Sequence, residues 1–532
     1  MPEPRRYPEI RDLLLVADSI TGRTDADAVL TRNGRVSAIG WSEDLRGRGL
    51  PERRFDGVIT PGFCDAHLHP IGYAAALTRP SLKDAADFEA VAEAMAAAAA
   101  ARPDGSAVIG LRLDDESLDE GRLPDRHLLD AAVPNRPALM VRYCGHVSVA
   151  NTRALELAGI GPDTPDPEGG SIDRDNRGLP TGVLRETAGD LASTAIRSLA
   201  PPVTRDDVLG GMTALASLGL TSVGGVVDIH EGCWAGGGSD LDALIEAAAY
   251  LPIRVAALVI AHTPEELELA AGRIADAGPR LSFLGLKAFA DGSLGGRTAA
   301  MHQPYHDGPD QRGTHRLDPE WGYSMSIAAL RLGGRVAIHA IGDAANSRVL
   351  DVMERLLDDG ADPAMLRIEH ASVLTPDDIT RMARLGVTAA VQPAFLASET
   401  SWLENRLGPD RLTRTYAFRS LTDSGVPLAG SSDSPVEPPH PLWGMAAARD
   451  RCGLTPTERL TAKEAYDLFT IDSSAAIGET RLLHPNERAD LVVLDKDPID
   501  IEPDGLRAAQ VLATFVEGSP VEVPPGTIAW QT

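Results

Sequence analysis

The chain has 532 residues, 43% of them hydrophobic and 24% charged, with a formal net charge of −27. Such a length buries a large core and suggests about three domains, although barrels often exceed the usual domain size. The acidic balance argues against nucleic acid or an anionic membrane as partner, and no apolar run is long enough to cross a bilayer.

The first apolar run, Leu13 to Ala17, is too short for a signal-peptide core, so the protein is expected in the cytoplasm. Cys64, Cys144, Cys233 and Cys452 form no Cys-x-x-Cys pair and read as reduced thiols.

The N-terminal segment reads as short strands: Asp12 to Ala17, then Val29 to Thr31 and Arg35 to Ile39 around the hairpin signal Asn33-Gly34. The last segment reads the same way, with Ala489 to Asp495 and Val511 to Glu517. One discontinuous β-sandwich domain, residues 1–57 with 480–532, is expected from the two ends.

Between them, strand-like runs alternate with helical stretches. They are Val58 to Ala66, Thr221 to Val227, Ile253 to Ile260, Phe283 to Ala290, Arg335 to Ile341, Arg367 to Ala371, Val387 to Val391 and Val426 to Gly430. Most are nearly continuous in apolar residues, the pattern of parallel strands buried on both faces. Eight of them predict an α/β fold, a (β/α)₈ TIM-type barrel over 58–479. An α/β insertion, about 80–204, interrupts it after the first strand. It carries an Ala-rich helix from Phe88 to Ala101, strands over Ala107 to Leu111 and Ala138 to Tyr143, and a loop over Asp163 to Arg177.

In such a barrel the active site lies at the C-terminal ends of the strands. The first run ends in Asp65-Ala66-His67-Leu68-His69-Pro70. Residues two apart on a strand face the same way, so His67 and His69 form a ready pair of metal ligands. The fourth run carries Lys287, one of only four lysines, among apolar neighbours where a lysine needs a reason. The fifth ends in His339, the sixth in His370, and the eighth runs into Asp433. A lone histidine on an apolar strand is more often a core residue. Four histidines, an aspartate and a buried lysine at one rim point instead to metal.

These blocks resemble the amidohydrolase superfamily, and within it the amidohydrolase-3 branch. The similarity covers nearly the whole chain. It includes Pro61-Gly62-Phe63-Cys64-Asp65-Ala66-His67-Leu68-His69, Gly178 to Glu186, Lys287 to Leu294, and the closing Ala489 to Leu494. The resemblance implies two divalent metals, zinc by default from the His-rich ligation. His67, His69 and Asp433 would hold the first, His339 and His370 the second, and Lys287 would bridge them as a carbamate formed with CO₂. Glu186 is an alternative carboxylate ligand, but Arg185 stands where many members have lysine, which favours Lys287.

The implied reaction is hydrolysis of a non-peptide C–N bond, as in an N-substituted formamide deformylase. Metal-activated hydroxide would attack, and Asp433 would shuttle the proton. The partner is a small-molecule substrate; a homodimer is left open. His146 and Asn151 resemble a Gly-His…Asn pattern of the branch and could line the pocket, or could be a loop-stabilising histidine and a helix cap. Arg297 could meet a substrate anion or pair with Asp291. Other readings are a mononuclear deaminase of a ring amidine with Lys287 unmodified, a non-hydrolytic barrel enzyme, or a catalytically silent scaffold.

Overall fold

Eight parallel strands form the central sheet of the computed structural model, which describes residues 12–46, 50–115, 117–143, 147–167, 170–230 and 238–527. They are β1 (Phe63–Leu68), β2 (Leu220–Asp228), β3 (Arg254–Ile260), β4 (Leu281–Phe289), β5 (Arg335–Ala340), β6 (Leu366–His370), β7 (Thr388–Val391) and β8 (Leu428–Gly430). Each pairs with the next in chain order. Beyond β8, the Asp433 amide donates to His67 O and the His69 amide to Ser434 O, both at 2.8 Å. The last strand's extension thus returns to the end of β1 and nearly closes the barrel. Helices between successive strands, such as Pro264–Ala275, Pro319–Arg331 and Asp343–Asp358, cover the outside.

The strand expected over Val58 to Ala66 is two strands. Val58–Pro61 lies between Ser19–Ile20 and Leu491–Leu494 in a five-stranded sheet completed by Val511–Val516 and Ser519–Pro520. After Gly62 the chain enters β1. The two sheets meet here so closely that a β-carbon on Gly62 would stand 2.4 Å from Thr221 Cγ2.

A second sheet, ordered Arg35–Gly40, Ala28–Arg32, Leu13–Val16 and Glu52–Arg54, includes the Asn33-Gly34 hairpin, both of whose turn residues have positive φ. Leu15, Val29, Ile59, Val493 and Phe515 belong to one apolar cluster drawn from both sheets.

The insertion builds a five-stranded sheet ordered Gly170–Arg174, Pro180–Glu186, Val147–Ala150, Ala138–Arg142 and Val108–Leu113. Part of the expected loop, Gly170–Arg174, is therefore an edge strand; its pairing with Pro180–Glu186 outweighs its turn-rich composition. No helix among the described residues is long and apolar enough to cross a membrane.

Small side chains fill the barrel interior. Cys64, Ala66, Val226, Ala256, Leu284, Ala337, Ala390 and Ala429 form one cluster, with Ala476 and Ile477 from the end of the later helix Ile471–Ala476 and the residue after it. This layer lies on the N-terminal side of the histidines along their strands and makes the floor of the site.

Candidate metal centre

Two β-bulges aim the first ligand candidates. Between β1 and β2, Val223 is opposite Asp65 but Gly225 is opposite Leu68, so β1 carries one extra residue. The bulge turns both Ala66 and His67 inward. It requires glycine on the facing strand, since a β-carbon on Gly224 would stand 2.1 Å from Ala66 O.

A second bulge lies between β3 and β4, where Ala257 faces Phe283 and Leu258 faces Gly285. It resets the alternation. Leu284 stays in the interior floor, while Lys287 and Phe289, rather than Leu286 and Ala288, enter the cavity above. A β-carbon on Gly285 would stand 1.9 Å from Arg335 O.

His67 Nε2 and His69 Nε2 both lie 3.3 Å from Asp433 Oδ1. The other nitrogen of His67, Nδ1, meets Glu369 Oε2. Glu369 is in turn held by the Arg367 guanidinium, whose Nη2 donates to Glu369 Oε2 at 2.8 Å and to Ala66 O at 2.8 Å. Arg367 and Glu369 are two apart on β6 and face the same way. The carboxylate on Nδ1 leaves Nε2 as the ligating atom.

His370 is prepared in the same way. Its Nδ1 donates to Gln392 Oε1 at 2.8 Å, and the Gln392 amide is oriented by donation to Ala390 O and Ser431 Oγ. His339 Nε2 donates to Gly292 O at 2.9 Å and lies 3.3 Å from Asp291 Oδ1. The Asp291 carboxylate accepts from the amides of Ala300, Ile341 and Gly342, which pins the turn beyond β5.

His370 and Asp433 have φ of +75° and +56°, left-handed values that cost a non-glycine residue free energy. Ligand atoms of His67, His370 and Asp433 lie within 4.8 Å of one another.

Charge follows from this crowding. For Asp433, burial opposes ionisation but hydrogen bonds from His67 and His69 outweigh it, so its carboxyl sits well below the usual range. Burial and the neighbouring Lys287 push His339 down to about 3. Burial, then His339, takes His370 well below an ordinary histidine. Both present neutral imidazole.

The decisive atom is Lys287 Nζ. The residue is 1% exposed, and Nζ has no hydrogen-bond partner among the described residues. Its near neighbour is the Phe289 ring, 3.9 Å to the centroid. A buried ammonium without acceptors is costly, and burial brings the pKa down to about 8. A neutral amine in this position can take up CO₂ with loss of a proton, which would add a second anionic oxygen donor beside the Asp433 carboxylate. Imidazole and carboxylate donors suit a borderline dication such as zinc. The residues present therefore fit a metal centre.

His67, His69, Lys287, His339, His370 and Asp433 all line one cavity of about 260 Å³, walled by Tyr143, Phe289, Phe395, Trp402, Glu399 and Glu437. Asn151 is not among its lining residues. Its side chain caps the helix Thr152–Leu157 through Ala154 N, accepts from Ala138 N, and donates to Val133 O and Arg136 O. Arg297 is also outside the lining set. It pairs with Asp307 through Nε at 3.1 Å and Nη2 at 2.8 Å, not with Asp291. His146 and the side chain of Glu186 lie outside the described residues.

Sequence reasoning passed over Glu369, Arg367 and Gln392. The available signal was the pair of charges two apart in an otherwise apolar strand, Arg367-Ile368-Glu369.

The profile of the Amidohydrolase family matches residues 56–522. The Bacillus subtilis (strain 168) protein YtcJ is 32% identical over 523 residues, spanning 92% of this chain and 95% of its own. The N-substituted formamide deformylase of Arthrobacter pascens is 30% identical over 543 residues, spanning 96% and 98%. Among solved structures, an uncharacterized metal-dependent hydrolase from Pyrococcus horikoshii OT3 superposes with a TM-score of 0.74 at 29% identity, covering 92% of this chain and 99% of that one. With a barrel rim of histidines, lysine and aspartate and a family match from residue 56 to 522, across the whole barrel and the C-terminal strands, this chain belongs to the amidohydrolase family.

Proposed function

We propose that the protein is a metal-dependent hydrolase that cleaves a non-peptide C–N bond, in an amide or formamide of a small molecule. The observation that carries the reading is the buried amine of Lys287, without a hydrogen-bond partner among the described residues, set among four histidines and an aspartate that line one cavity. His67, His69 and Asp433 would hold one divalent ion, and His339 and His370 a second. The carbamate of Lys287 would bridge them, with zinc as the expected metal. The names of two similar proteins, a metal-dependent hydrolase and a formamide deformylase, support the class.

When bound, the metal supplies Lewis acidity that acidifies water and polarises a carbonyl. The chain's own residues do the rest. Asp433 is ionised and within reach of both first-strand histidines, so it can accept a proton from water and return it to the leaving nitrogen. Glu369 and Gln392 hold two imidazoles in the required tautomer. Phe289, Phe395 and Trp402 limit the water that competes for these groups. At about 260 Å³ the cavity suits a small substrate.

One observation favours a second reading. The convergence of His67, His370 and Asp433 within 4.8 Å is also the donor set of a single ion, as in a mononuclear deaminase of a ring amidine.

The test is a panel of N-substituted formamides, small amides and ring amidines offered to zinc- and bicarbonate-loaded enzyme. The proposal expects paired release of free amine and acid, lost by about 10²-fold or more in Asp433→Asn. Ammonia from the amidines, with no amide turnover, would transfer the chain to the deaminase reading.

A further inference from the structure

The ends of β2 and β3 face the same rim as the metal centre, and among the described residues neither supplies a residue to it. They carry a separate cluster. His230 follows β2, and His262 and Glu266 follow β3. Ligand-capable atoms of these three side chains all lie within 4.8 Å of one another. The two imidazoles stack, with ring centroids 4.3 Å apart and planes 16° from parallel. His230 Nε2 lies 3.3 Å from Glu266 Oε1, the edge length of a tetrahedral zinc site with bonds of about 2.0–2.1 Å.

Each part is held by bonds that leave a ligand atom over. Glu266 Oε2 is committed to the amides of His262 and Thr263, in the capping box of the helix Pro264–Ala275, which aims Oε1 at His230. Asp228 Oδ1 accepts from the His230 amide at 2.9 Å and faces His230 Nδ1 at 3.1 Å. A carboxylate on Nδ1 is the usual support of a zinc-bound imidazole, because it fixes Nε2 as the ligating atom. The His262 backbone is anchored too, its carbonyl accepting from Trp321 Nε1 at 3.0 Å.

We infer that His230, His262 and Glu266 form an auxiliary site for a borderline divalent metal such as zinc, with Asp228 as its positioning residue. An ion there would clip the ends of β2 and β3 together on the rim. His262 is exposed, so its ring can rotate the remaining distance without disturbing the core. The competing arrangement is a protonated His230 shared by Asp228 and Glu266, which needs no metal.

The test is zinc per chain after chelator treatment and equilibrium dialysis against zinc chloride, for wild type, His262→Gln and His230→Gln. The expected result is one zinc equivalent fewer in each variant, with hydrolytic activity and the melting temperature of the metal-free proteins unchanged. Asp228→Asn should weaken that equivalent about tenfold without removing a ligand. Equal zinc content in wild type and both variants would overturn the inference. So would a variant-sensitive equivalent that binds only above about 1 mM, which would mark an adventitious surface contact. The readout is a difference between chains that share the central site, so it stands whether or not that site binds two metals.

Discussion

Replacing Glu369 by alanine tests how the barrel floor and the metal centre are joined. Arg367 and Glu369 are 1% and 0% exposed. The Arg367 guanidinium reaches Glu369 through Nε and Nη2, Ala66 O on β1 through Nη2, and Ala476 O through Nη1 at 3.2 Å. Glu369→Ala deletes the two charge-assisted bonds and leaves a cation buried with only carbonyl partners. Breaking one side of a buried pair costs about 3–5 kcal/mol, and that loss is expected for the metal-free protein.

The charge sets the pH dependence. For Glu369, burial favours the neutral acid, but Arg367 and His67 outweigh it and hold the carboxyl well below its usual range. The pair's contribution is therefore present above about pH 4.3, the ordinary glutamate value, and is lost as pH falls toward the depressed one. Urea denaturation of metal-free wild type and variant, followed by circular dichroism at several pH values, measures both effects. The double variant Arg367→Met/Glu369→Leu should recover most of the loss, because no charge is left buried. Isosteric Glu369→Gln should weaken zinc binding about 10–100-fold by loosening His67. A cost below about 1 kcal/mol for Glu369→Ala, or a double variant no more stable than the single, would refute the reasoning.

Three further outcomes follow from the same geometry. Gly285→Ala puts a methyl 1.9 Å from Arg335 O, so it should cost about 3 kcal/mol or more and abolish activity by re-aiming Lys287, checked by melting temperature and turnover. In metal-free, CO₂-free protein, Lys287 is held down to about 8 by burial, while the unfolded chain keeps an ordinary lysine near 10.5. The unfolded state then binds more protons between those values, so stability should rise with pH across that window by about 3 kcal/mol. Lys287→Met should lack the rise, as read from urea midpoints. Asn151→Ala should cost about 2 kcal/mol through lost capping and unsatisfied buried partners, with KM unchanged because its amide is turned into the insertion.

The run of parallel strands could be read from the sequence because each is buried on both faces and appears as an unbroken apolar stretch. Val58 to Ala66 misled for the same reason. Its apolar run is continuous across Gly62, where the chain leaves one sheet for another, and periodicity carries no mark of that crossing. The six rim residues were visible because histidine, lysine and aspartate are conspicuous at the end of an apolar strand. Their supports were not. Glu369 meets a histidine 302 positions away, and no local pattern announces such a pairing. The two bulges are equally silent; only Gly224 and Gly285 hint at them, and glycine in a strand has several uses. Asn151 and Arg297 show the converse, since residues of suitable chemistry near the site turned out to serve a helix cap and an ion pair with Asp307.

Lys287 is proposed to complete a two-metal centre. Metals per chain by elemental analysis, on wild type and Lys287→Ala, each in the His262→Gln background and prepared with zinc and bicarbonate, test it most directly. Close to two metals are expected for the lysine-bearing chain and a clear fall in Lys287→Ala. One metal in both chains would remove the lysine from the centre, and none in either would contradict the metal reading altogether.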